Sequence, residues 1–136
     1  METKLFGDKK INIREIQKRD IKIAKKFRDF INSFIRENAK LSMNKEIDLK
    51  IEREFLVGVL KTTENKTRVY LVAECDGQIV GSASIEQERW RMNHVGKFGI
   101  TIKNGYRGIG LGKYLMSKVI KLAKKELKPQ AKNYFA

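Results

Sequence analysis

Histidine, cysteine, proline and tryptophan each occur once in these 136 residues, and the 16 acidic side chains are outnumbered by 30 lysines and arginines. Each scarcity closes off a class of function. With Cys75 alone there is no disulfide framework, and with His94 the only histidine no Cys/His zinc site can form, so no metal is expected. A single cysteine suits the cytoplasm. No apolar run approaches the length of a membrane helix, and Met1-Glu2-Thr3-Lys4 lacks the apolar stretch of a signal peptide. The chain is therefore expected in the cytoplasm, without membrane contact. One proline, no low-complexity block and no internal period leave a globular chain, 41% hydrophobic, of a length that fits one domain, 1–136.

The shortage of acids leaves a net charge of +14. Such an excess favours phosphorylated or polyanionic partners, or it coats a surface with solvated lysine, and the lysines are spread along the whole chain. No arginine and aromatic platform accompanies the charge, and no nucleic-acid motif is recognisable, which counts against a nucleic-acid-binding protein.

Along the chain, residues 10–18 alternate through Ile11 and Ile13 toward Ile16, a first strand expected at a sheet edge. Asp20 then has the position of an N-cap. From Ile23 through Phe27, Phe30, Ile31, Phe34 and Ile35 the apolar residues recur three and four apart, which predicts a helix. A second helix is expected from Lys45 to Leu60, with Ile47, Ile51, Phe55 and Leu56 inward. Val69–Ala73 is an apolar run suited to a central strand, and Asp76-Gly77 is a two-residue hairpin turn. The return strand runs from Gln78 to about Arg89, and Trp90–Asn93 is a loop.

Residues 94–103 alternate, with His94, Phe98, Ile100 and Ile102 on one face and Lys97, Thr101 and Lys103 on the other. After them stands Tyr106-Arg107-Gly108-Ile109-Gly110-Leu111-Gly112-Lys113, and then Leu111, Leu115, Val119 and Leu122 recur at helical spacing, with Met116, Ile120, Ala123 and Leu127 beside them. Glycines at every second position between a strand and a helix allow a sharp turn, and they let a ligand approach the unpaired N–H groups of the helix's first turn. A phosphate fits there. The plainer reading is a tight turn and nothing more. A Walker A loop would need glycine and Ser or Thr where Arg107 and Tyr114 stand, and the dinucleotide fingerprint would need glycine at Lys113 or Leu115.

Arg107-x-x-Gly110-x-Gly112 resembles the pyrophosphate-binding motif of the GNAT superfamily of acyl-CoA N-acyltransferases. The Asp76-Gly77 hairpin, Gly81 in the next strand, the strand at 94–102 and the helix after Gly112 fall in that family's order, so the resemblance spans about residues 10–128. It implies an α+β fold, a mixed and mostly antiparallel sheet flanked by helices, which agrees with the order strand, two helices, three antiparallel strands, helix. It also implies acetyl-CoA as cosubstrate and an amine as acceptor. The pyrophosphate would lie on Arg107, Gly108, Ile109, Gly110, Leu111, Gly112 and Lys113, and the pantetheine arm on the backbone of Ile100, Thr101 and Ile102. The two early helices would flank the acceptor entrance, with loop 38–44 a candidate for substrate choice. Two departures stand out: Asn104 replaces a frequent proline, and Ile109 replaces a frequent Lys or Arg, so the charge near the phosphates must come from Lys113 or elsewhere.

Amine acylation needs a base and donors for an oxyanion. Glu86 and Glu88 near a strand end and His94 opening the next strand are the available bases, Glu86 and His94 foremost; each is also readable as ordinary surface or core. After this helix the family continues with a strand, a helix and a hairpin. Here only Gln130–Ala136 follows Pro129, enough for a short strand at 132–135 with Tyr134 standing in as the acid. The expectation is a C-terminally truncated domain, of weak turnover, whose uncovered sheet edge supports a homo-oligomer. Three classes stay open: an acetyl-CoA-dependent N-acetyltransferase acting on a primary amine of a small molecule or protein, a non-catalytic acyl-CoA-binding module of the same fold, and a basic nucleic-acid-binding protein.

Overall fold

The computed structural model describes residues 2–37, 48–87 and 96–127. Loop 38–44, Glu88, Trp90–Asn93, His94, Tyr134 and the expected strand at 132–135 lie outside the described residues. The elements are β1 (Glu2–Phe6), β2 (Lys9–Glu15), a 3-10 turn (Lys18–Ile23), α1 (Ala24–Glu37), α2 (Leu49–Glu64), β3 (Arg68–Cys75), β4 (Gln78–Gln87), β5 (Gly96–Ile102) and α3 (Leu111–Glu126). The strands form one antiparallel sheet in the order β1-β2-β3-β4-β5. This is the α+β arrangement the sequence implies.

Alternation along each strand sorts side chains to two faces. On one face Ile11, Ile13, Leu71, Ala83 and Ile85 pack with Leu111, Leu115, Val119 and Ala123 of α3. The other face sets Ile16, Val72 and Ile79 against Phe27 and Phe30 of α1 and Leu56, Val59 and Leu60 of α2. A bulge between Ala73 and Glu74 shifts the β3–β4 register. Gly81 lies where β4 meets α3: a Cβ there would stand 3.2 Å from Ile102 Cδ1 and 3.4 Å from Leu115 Cδ1.

Three expectations need correction. The first strand is not at the edge, because β1 pairs outside it from Glu2↔Ile13 to Phe6↔Lys9, turning at Gly7 with φ +63°. Nor is Asp20 an N-cap. It is fully buried as the third residue of the 3-10 turn, accepts from the Gln17 N–H at 2.6 Å, and forks onto Arg14 at 2.8 and 2.7 Å. A buried carboxylate needs such a partner, and Arg14 supplies two donors in a plane. The third correction concerns α2, whose buried stripe is Glu52, Leu56, Val59 and Leu60, while Ile51 and Phe55 are about half exposed. One residue's shift in phase turns a helix by about 100°, so the polar Glu52 takes the inward place the sequence pattern reserves for Ile51.

Candidate functional site

The strand, loop and helix at 96–126 form the site's frame. Lys103 N–H bonds to the Val80 carbonyl at 2.8 Å, and the β4–β5 register continues regularly through Thr101↔Ser82 and Gly99↔Ser84. In an antiparallel ladder alternate residues turn both backbone groups to the same neighbour. Lys103, Thr101 and Gly99 therefore face β4, and Ile102, Ile100 and Phe98 face the outer edge. Arg107 Nε donates to the Ile102 carbonyl from that edge at 2.8 Å, as this parity requires. Among the described residues nothing pairs with the Ile100 N–H and C=O. The backbone of Thr101, expected to meet a ligand, is instead taken up by β4.

Next comes the turn. Tyr106 N–H closes it on the Lys103 carbonyl at 3.0 Å, and Gly105, Gly108 and Gly110 adopt φ of +93°, +74° and +89°, the left-handed region that glycine enters without a Cβ penalty. A Cβ at Gly108 or Gly110 would meet no protein atom within 4 Å, so space is open around the loop. Gly110 is the N-cap of α3 and offers no side-chain cap, and the first N–H to find a helical acceptor is that of Tyr114, on Gly110 at 3.1 Å. The N–H groups of Leu111, Gly112 and Lys113 thus end the helix without partners inside it. Uncapped donors, the helix dipole and an open cradle suit a phosphate.

The loop's side chains divide the work. Ile109, which stands where the family often has Lys or Arg, packs on the apolar core and sits 3.8 Å from the place of a Cβ at Gly7. Arg107 forks onto Glu37 at the end of α1, at 2.6 and 3.1 Å, and lies 5.7 Å from the Phe34 ring centroid. That pairing holds the Glu37 carboxyl below its ordinary range. Lys113 is exposed beside the helix start.

The α1/α2 face carries the polar groups. Ser82 and Ser84 of β4 and Thr101 of β5 are half-buried there, and Glu86 is bound by Arg68 at 2.7 Å. Glu52, at 2% exposure, enters this face from the first turn of α2. Burial pushes its carboxyl up to about 7, and among the described residues no hydrogen bond or cation offsets that. Next to it is Tyr70 of β3. Burial pushes its phenol up, a hydrogen bond with Ser82 opposes this, and the Glu52 charge adds to the rise. Sequence reasoning missed Glu52; its spacing from Leu56 and Val59, four and seven residues, was the available signal. The Cys75 thiol is pushed up by burial first, which argues against a sulfur nucleophile. Another concavity, between β2 and the second half of α3, is lined by Arg14, Lys118, Lys121 and Lys125 and lies away from the glycine loop.

Residues 28–134 match the acetyltransferase (GNAT) family. The chain belongs to that family. Its cosubstrate is acetyl-CoA, and the open cradle and uncapped α3 terminus fit that molecule's pyrophosphate. Among solved structures, a GNAT-family acetyltransferase from Streptococcus pneumoniae superposes with a TM-score of 0.65 at 21% identity, over 92% of this chain and 80% of that one. The ribosomal-protein-S5-alanine acetyltransferase of Vibrio fischeri gives 0.70 at 15% identity, over 92% and 68%. The yncA chain of Salmonella typhimurium, assigned as an acetyltransferase and solved with its cofactor acetyl-CoA, gives 0.62 at 19% identity, over 85% and 64%. At these identities the likeness speaks for the fold. Among the described residues no helix is long and apolar enough to cross a membrane, and no three acidic, His or Cys side chains gather as metal ligands.

Proposed function

We propose that this GNAT-family chain transfers an acetyl group from acetyl-CoA to a primary amine of a small molecule or protein in the cytoplasm. The observation that carries the reading is the uncapped start of α3 behind three left-handed glycines, beside a strand whose outer edge is unpaired among the described residues. Acetyl-CoA supplies the activated thioester. The N–H groups of Leu111, Gly112 and Lys113, with the loop Arg107–Gly110, receive its pyrophosphate, and Lys113 adds charge. Ile100 offers an N–H and a C=O to the amide-bearing pantetheine arm, in the manner of an added strand. Thr101 contributes its side chain on the opposite, polar face.

On that face the amine meets Ser82, Ser84 and Thr101, groups that orient a polar nucleophile but do not hold a fixed charge. Glu86 lies on the same face, already engaged by Arg68, and His94 precedes the open-edged strand. The open edge of β5, with Phe98, Ile100 of the strand and Met116 of α3 at 39%, 36% and 43% exposure, also accepts a second copy of the chain when no ligand lies there, which light scattering with and without acetyl-CoA tests. For the reaction itself, the decisive assay is thiol release from acetyl-CoA with a panel of primary amines, followed by mass analysis of the product. An N-acetyl product supports the assignment; O-acetyl or S-acetyl products, or hydrolysis alone, overturn it.

A further inference from the structure

Among the described residues, Glu52 is the one carboxylate of the α1/α2 face that is both deeply buried and without a cation. Asp20 is as buried, but Arg14 neutralises it, and Glu86 has Arg68. A lone buried carboxylate costs stability. Nothing in the packing of α2 requires one, since Leu56, Val59 and Leu60 continue the same stripe with apolar groups. Its position supplies a reason. The first turn of α2 brings Glu52 to Tyr70, Tyr70 is hydrogen-bonded to Ser82, and Ser82 pairs with Thr101 of β5. These groups run across the polar face from the helix to the strand that borders the glycine loop.

We propose that Glu52 is the group that receives the proton shed by the acceptor amine, acting across the Tyr70–Ser82 hydrogen bond. This rests on the acetyltransferase reading above. The amine arrives as an ammonium; one proton leaves its nitrogen and ends on the Glu52 carboxylate, making a neutral carboxylic acid. The freed nitrogen pair forms the C–N bond at the thioester carbon, the C–S bond breaks with its electrons leaving on sulfur, and a second proton from nitrogen converts the thiolate to the thiol. Glu52 then returns its proton to solvent.

Among the described residues the charge environment of Glu52 is simple. From β3 it meets Tyr70; Arg68, the cation that couples to Tyr70, is held by Glu86. The 3-10 turn packs against α2 with Asp20 bound to Arg14 and with Lys18, Arg19 and Lys22 exposed, while α1 contributes the apolar Phe27 and Phe30. Burial pushes the Glu52 carboxyl up to about 7, and a proton acceptor works best when its pKa lies near the operating pH.

The test uses the whole chain with acetyl-CoA and whichever primary amine the panel selects. Glu52→Gln is expected to lower kcat by roughly 10²-fold and to remove the limb of the pH–rate profile near neutrality, with acetyl-CoA affinity, measured by calorimetry, unchanged. Tyr70→Phe should lower kcat in the same direction, and the double variant should lose little more than Glu52→Gln alone. Carbon-13 NMR of the glutamate carboxyls should show one resonance titrating near neutrality that vanishes in Glu52→Gln. Unaltered kcat and pH profile in an active Glu52→Gln chain overturn the proposal, as does a Glu52 carboxyl that titrates in the ordinary acidic range. A wild-type chain that binds acetyl-CoA and acylates no amine overturns instead the reading of function, and this role falls with it.

Discussion

The two faces of the sheet are built to opposite rules. Against α3 the contacts are apolar and closed: Leu115 and Val119 are fully buried, and Gly81 lets Ile102 and Leu115 come near the β4 backbone. Against α1 and α2 the core is interrupted by Glu52, Tyr70, Ser82 and Ser84, polar groups that an apolar core of the same shape would do without. Burying polar groups lowers stability unless they are paired. The α3 face holds the fold together and sets the loop in place, and the α1/α2 face gives up cohesion to hold polar groups.

The sharpest way to break that comparison is to truncate one side chain on each face. Leu115→Ala should cost about 2–5 kcal/mol, since Leu115 is completely buried and the sheet cannot collapse into the gap. Ser84→Ala on the opposite face should change stability by under about 0.5 kcal/mol. Denaturant unfolding of the two variants measures both, and equal losses would mean that the faces do not differ as described.

Ligand binding should separate the loop's glycines from one another. At Gly112 a Cβ would make only ordinary contacts, 3.8 Å to Ile102 Cγ1 and 3.9 Å to Ile100 Cδ1, and the backbone there is helical. Gly112→Val should therefore fold and yet lose acetyl-CoA affinity by about 10²-fold, some 2.7 kcal/mol, because its branches fill the space at the helix N-terminus. Gly110→Ala, at φ +89°, should instead cost about 1–2 kcal/mol of stability through backbone strain. Calorimetry with acetyl-CoA and thermal unfolding tell the two apart; a Gly112→Val chain of normal affinity would remove the pyrophosphate from this loop.

Glu52 offers a test on stability alone. Its carboxyl is pushed up to about 7 from an ordinary 4.5, so the folded chain holds this proton more tightly than the unfolded one. That stability is present at pH below about 4.5 and is lost as pH rises through about 7. Glu52→Gln mimics the protonated form. Thermal unfolding should find it about 1–2 kcal/mol more stable than wild type at pH 8 and nearly equal at pH 4.5. A variant that gains stability while losing turnover marks a residue kept for function; a variant less stable at pH 8 would point to a structural partner for Glu52.

How much of this was legible in the sequence follows from how local each signal is. The glycine loop, the hairpin and α3 depend on residues adjacent in the chain: Asp76 and Gly77 take φ of +50° and +77°, as their turn chemistry demands. β1 was missed although Gly7-Asp8 is a two-residue hairpin signal, because Glu2–Phe6 is short and its Thr3, Lys4 and Leu5 are all exposed, so no alternation announces it. The phase of α2 failed for a different reason. Ile51 and Phe55 are the more apolar pair, and they outweighed the spacing that sets Glu52 on the stripe of Leu56, Val59 and Leu60. Asp20 was misplaced because a carboxylate just ahead of a helix reads first as a cap, and nothing in the local pattern announces its fork onto Arg14 six residues earlier. In the site, residues 107–113 and the strand before them were readable as motif, whereas the orientation of Arg107 toward Glu37 and of Thr101 toward β4 required three dimensions.

The smallest effect expected is at that Arg107–Glu37 pair, and it bears on how the two faces communicate. Glu37 ends α1 on the polar side, and Arg107 belongs to the loop set in place by α3, so the ion pair is a link between the helix proposed to flank the acceptor and the loop proposed to hold the pyrophosphate. Both side chains are partly exposed, which makes the pair of little consequence for stability. Its effect on an anion is another matter. Glu37 places a negative charge beside the loop and occupies both terminal nitrogens of the guanidinium. Glu37→Gln should leave the melting temperature nearly unchanged and tighten acetyl-CoA binding a few-fold at low salt, by removing a like charge and freeing the guanidinium fork for phosphate oxygens. The gain should fade toward 1 M salt, where charges more than about 3 Å apart are screened. Weaker binding in Glu37→Gln would reverse the assignment: Glu37 would then hold Arg107 in the orientation the ligand uses, and the link would favour binding where the present geometry has it compete.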